Sequence, residues 1–110
     1  MKKHMAIFAA LLLSASGAFA EEHAVEALKH SEHAVTHGSA GHAPQLVTHA
    51  ENALGHAKQA ESVASGEVKT HISAGIKSLE ESIAHGKQNH ADVAGKHAAD
   101  AVSHFKAANG

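Results

Sequence analysis

Histidine returns every seven residues along almost the whole chain. His23, His30 and His37 form one series, and His42, His49 and His56 the next. The pattern resumes as His71, Ser78 and His85, then His90, His97 and His104. Seven residues are two turns of α-helix, so each series stacks on one helix face. The apolar residues keep helical spacing too. Leu46, Ala50, Ala53, Ala57 and Ala60 step by four and three, flanked by Val47 and Leu54. Ile72, Ile76, Leu79 and Ile83 do the same, and Ala94, Ala98, Ala101 and Phe105 again, flanked by Val102. In the first segment the stripe is Val25, Leu28 and Val35, with Ala24 beside them. None of this is the alternation of a strand.

Glycine separates the segments. Gly38 and Gly41 bracket the first turn, Gly66 marks the second and Gly86 the third. Pro44 suits the first turn of a helix, where its missing N–H costs nothing. The spacing predicts helices over residues 22–37, 43–64, 67–85 and 90–107. Short turns favour antiparallel neighbours, so the expected fold is an all-α, up-down-up-down four-helix bundle. The chain is also duplicated. A shift of 48 residues places His23 on His71, His37-Gly38 on His85-Gly86, His49-Ala50 on His97-Ala98 and His56 on His104. The repeated unit is a helical hairpin. Ser78 is the gap, standing where His30 stands in the first half.

The first twenty residues read as a secretory signal peptide. Lys2 and Lys3 precede the apolar run Ala6–Leu13, and Ala18-Phe19-Ala20 is a small-x-small cleavage site before Glu21. That run is too short to span a membrane. The expected division is a cleaved leader over 1–20 and one helical domain over 21–110, exported to the periplasm. Cleavage leaves 110 − 20 = 90 residues and 13 − 1 = 12 histidines, with 9 − 2 = 7 basic against 11 acidic residues. An acidic balance argues against nucleic acid as a partner. Met1 and Met5 leave with the leader and there is no cysteine, so the mature chain carries no sulfur ligand. Its core is built mainly from Ala, Val, Leu and Ile, with Phe105 its one aromatic residue besides histidine. So thin a core predicts a marginal fold that gains order when something binds.

Twelve histidines in ninety residues point to metal binding, because imidazole is a ligand for intermediate divalent ions. His33 and His37 are an i, i+4 pair, which presents two imidazoles to one ion. Glu26 with His30, Glu67 with His71, Glu81 with His85 and Asp100 with His104 share that spacing. For each mixed pair the plainer reading is a solvated carboxylate. With Leu28 at the centre of the first helix's buried face, Glu26, His30, His33 and His37 form one exposed stripe. Across each hairpin the columns align as level rungs, His37 with His42, His30 with His49 and His23 with His56. His85 pairs with His90 and His71 with His104. The best single group is His33 and His37, with His42 reachable across the turn. The competing reading is an acid-responsive or membrane-associated amphipathic protein, since protonating the imidazoles would reverse the charge. Catalytic motifs are missing: there is no nucleophile elbow, no phosphate loop and no H-E-x-x-H.

The heptad histidines, the A-x-x-H-A and H-A-x-x-A phrases, the His37-Gly38 to Gly41-His42 turn and the leader together resemble the small metal-binding protein (SmbP) family. The resemblance covers essentially the whole mature chain. It implies a periplasmic, histidine-rich four-helix bundle that is not an enzyme and binds divalent metal for scavenging or tolerance. Copper as Cu(II) is favoured, with Ni(II) and Zn(II) as further cargo. The ligands it implies are His23, His30, His33, His37, His42, His49, His56, His71, His85, His90, His97 and His104. A monomer is the expected state.

Overall fold

The computed structural model describes residues 14–109. Four helices make up the fold: α1 Ser14–Ser39, α2 Ala43–Val63, α3 Gly66–Lys87 and α4 Ala91–Asn109. Each helix packs against the two beside it in a ring, α1 with α2 and α4, and α3 with α2 and α4. This is the antiparallel bundle expected, in an elongated body of 49 × 23 × 17 Å. No helix among the described residues is long and apolar enough to cross a membrane.

The segment α1 differs from expectation. It runs back to Ser14, through the point where cleavage was expected, and Ala20 is buried. Lys2, Lys3 and the apolar run Ala6–Leu13, read as the start of a leader, lie outside the described residues. Its buried column is Ala20, Ala24, Ala27, Ser31, Ala34 and Gly38, not the larger aliphatics. Val25 is 41% exposed, and Leu28 and Val35 only border the core. The other three helices bury the stripes expected of them, with Phe105, Leu46, Ile72 and Leu79 the largest, except that Ile83 only borders the core.

A single heptad frame explains the arrangement. With the core column at positions a and d, every column histidine falls at g, one residue before an a. Leu28, Val35, Val47, Leu54, Ile76, Ile83 and Val102 fall at e. Antiparallel helices set g against g on one side and e against e on the other. The g positions therefore line the groove inside each hairpin, and the e positions seal one hairpin onto the other.

Two of the glycines expected in turns lie inside helices instead. Gly38 abuts Gly95 of α4, where an added Cβ would come 2.7 Å from the Gly95 Cα. Gly86 packs under Leu46 and Val47 of α2. The hairpin turns follow them and are alike. The His42 N–H donates to the His37 carbonyl at 2.8 Å and that of Gly41 to Gly38 at 3.1 Å. His90 to His85 at 3.0 Å and Asn89 to Gly86 at 2.9 Å repeat the pattern. Gly41 and Asn89 hold φ of 78° and 66°, the left-handed residue this C-terminal cap requires.

Candidate metal centre

The heptad frame decides where the imidazoles go. His23, His30 and His37 sit at the edge of α1 that faces α2, and His49 and His56 at the matching edge of α2. All five are half-buried. The exposed stripe expected on α1 is therefore a groove wall, because the alanine column, not Leu28, faces the core. Among the stripe's members only His33 is exposed.

The expected rung pairs His37 with His42, His30 with His49, His23 with His56 and His85 with His90 all meet, but the columns do more than pair. They interdigitate. His37 lies 5.8 Å from His42 and 5.2 Å from His49, ring centre to ring centre. His30 lies 5.8 Å from both His49 and His56, and His23 5.2 Å from His56. His33 approaches His49 at 5.0 Å. His42 does meet His37 across the turn, as expected, and His49, one heptad further along α2, approaches both His33 and His37. In the second hairpin His85 stands between His90 at 6.1 Å and His97 at 5.2 Å.

Two groups draw their ligand atoms together. Glu26, His30 and His56 bring one donor each within 4.8 Å of one another, and so do Glu81, His85 and His97. Both are built alike: a Glu-x-x-x-His pair on the odd helix and one imidazole across the groove. Two carboxylates ranked low on sequence alone thus become central. The signal was their i, i+4 spacing, which four pairs share. The deciding factor, a histidine opposite, depends on the register between helices. Among the described residues no such group forms at Asp100 and His104, and Ser78 stands where His30 stands in the first repeat. Among the described residues, neither group includes His23, His33, His37, His42, His49, His71, His90 or His104.

The surroundings suit a cation. The Nδ1 atoms of His30, His49 and His85 are buried without a hydrogen-bond partner, so each is a free donor site pointed into the protein. His56 differs, since its Nδ1 lies 2.9 Å from the Nδ1 of His23. Burial lowers the pKa of His30, helped by His56 and opposed by Glu26. Burial also lowers that of His49, helped by His33 and His37. Both effects favour the neutral, ligand-competent imidazole. Glu26 is held 3.9 Å from the Lys29 ammonium, a half-exposed contact that an incoming ion can displace. Each group leaves coordination positions for water, because it supplies three protein ligands on an open groove.

A family model described as small metal-binding protein matches residues 1–108. No curated protein matches the chain closely enough to count as a relative.

Proposed function

The chain belongs to the small metal-binding protein family, and from that premise we propose that it is a periplasmic carrier of divalent transition metals, Cu(II) foremost. Its two principal sites are Glu26, His30 and His56 in the first hairpin and Glu81, His85 and His97 in the second. The observation that carries this reading is the convergence of two imidazoles and a carboxylate within 4.8 Å in each hairpin. Imidazole with carboxylate suits Cu(II), Ni(II) and Zn(II), and Cu(II) binds tightest in the usual affinity order. With no Cys or Met in the mature chain, the ligand set does not suit Cu(I). His33, His37 and His49 form a third, all-imidazole group. His23, His42, His71, His90 and His104 complete a surface that takes up metal more weakly. The leader is removed after Ala20, and the role is scavenging or buffering rather than catalysis.

Calorimetry of the exported protein with Cu(II), Ni(II) and Zn(II) at neutral pH tests this. Several Cu(II) equivalents should bind, the first ones tighter than Ni(II) or Zn(II). If a version with all twelve mature histidines changed to alanine binds Cu(II) as well, the proposal fails.

A further inference from the structure

Removal of the leader also creates ligands that the precursor lacks. We propose that the mature amino terminus, Glu21-Glu22-His23, is itself a Cu(II) or Ni(II) site, separate from the groove. This rests on the cleavage position proposed above. An amino terminus with histidine third in line offers four nitrogens in order. They are the α-amine of Glu21, the backbone nitrogens of Glu22 and His23, and Nδ1 of the His23 ring. Consecutive donors close fused chelate rings in one plane, and a planar nitrogen set selects Cu(II) or Ni(II) over Zn(II).

The position of these residues in α1 permits it. In the uncleaved helix the amides of Glu22 and His23 have the carbonyls of Ala18 and Phe19 as their i−4 acceptors. Cleavage after Ala20 removes both acceptors, so the two amides lose their helical partners in any case. Glu21 and Glu22 are exposed, and the core column of the mature chain begins only at Ala24. Residues 21–23 can leave helical geometry without uncovering an apolar side chain. His23 belongs to neither group of three in the grooves. The nitrogen it needs is the Nδ1 now 2.9 Å from His56. Chelation would withdraw it and release His56 Nδ1 to the groove. The balance is simple: Cu(II) enters unchanged in oxidation state, displacing one proton from the terminal ammonium and one from each amide to water.

The exported protein, purified with its native amino terminus, is compared with its N-acetylated form and with a His23→Ala variant. Each is titrated with CuSO4 and followed by visible absorption and electron paramagnetic resonance. The free-amine chain should show the short-wavelength d–d band and nitrogen hyperfine pattern of a planar four-nitrogen site. Both controls should lack them and bind one Cu(II) fewer. Identical spectra and stoichiometry for the free-amine and acetylated chains would overturn the inference while leaving the groove sites standing. An exported chain whose sequenced amino terminus is not Glu21 would overturn both the cleavage position and this site. Loss of all Cu(II) binding on acetylation would also overturn it, because the two kinds of site would then not be separate.

Discussion

His30 and His49 combine two properties that an exposed histidine lacks: each keeps a buried, unpartnered Nδ1, and each has its pKa lowered first by burial. Metal competes with protons for the same lone pair, so a lowered pKa extends binding towards acid. The tightest Cu(II) step in the groove should therefore hold below the ordinary imidazole pKa of about 6.5. His30→Ala should weaken that step by at least about tenfold, the order seen when support of a single metal ligand is lost. His33→Ala should cost less. Dissociation constants measured across a pH series check both. The same shifts bear on folding. Because the folded-state values lie below the unfolded one, the unfolded chain takes up protons first. Stability contributed by these two groups is present above about pH 6.5 and lost as pH falls from there through their folded values. Thermal melts of the metal-free protein should drop over that window, and less so in a His30→Ala, His49→Ala double variant. Ser78 supplies a constructive test. Ala74, Ser78 and His104 occupy the places that Glu26, His30 and His56 hold in the first repeat. Changing Ala74→Glu with Ser78→His should add one Cu(II) equivalent by calorimetry, and an unchanged stoichiometry would show that the groove geometry is not what binds.

At the scale of the helix, one heptad frame assigns chemistry to edges. Position g carries imidazole into the groove within a hairpin, and position e carries Leu, Ile or Val into the joint between hairpins. The four helices, their antiparallel order and the duplication were legible because all three depend on period alone. The face of α1 was not, because size misleads there. Leu28 and Val35 look like a core, yet the buried column is Ala24, Ala27, Ser31 and Ala34, and small residues let α1 lie close to its neighbours. The level rungs were legible too, but the diagonal contacts added to them were not. Pairing by residue number gives one partner each, whereas the helices set a register in which His30, His37 and His85 each stand between two histidines of the facing helix. That stagger is what selects Glu26 and Glu81 among the four candidate carboxylates. Close packing has a direct test at Gly75, where an added Cβ would overlap the Phe105 ring. Gly75→Ala should destabilise the metal-free protein by about 1–3 kcal/mol through overpacking, measured by urea unfolding.

Taken whole, the molecule holds a slim core, mostly alanine, around Phe105, Leu46, Ile72 and Leu79. Phe105 is fully buried against Gly75 in the second hairpin, and Phe105→Ala should cost about 3–5 kcal/mol, a large share of the stability of so small a domain. Bound metal then contributes to the fold itself. Each proposed site clasps the two helices of one hairpin, so saturating Cu(II) should raise the melting temperature, by about 2.7 kcal/mol of stabilisation per site at a hundredfold excess over its dissociation constant. The two hairpins are joined through e positions that carry no imidazole, which makes their sites independent. The most direct measurement is a calorimetric Cu(II) titration of three variants, each N-acetylated so that the terminal nitrogen site is blocked: Glu26, His30 and His56 changed to alanine, Glu81, His85 and His97 changed to alanine, and both sets together. Each single set should remove one tight step and leave the other with its own affinity, and the combined variant should lose both. Tight steps that persist in the combined variant would contradict the account, as would loss of both steps when only one hairpin is altered.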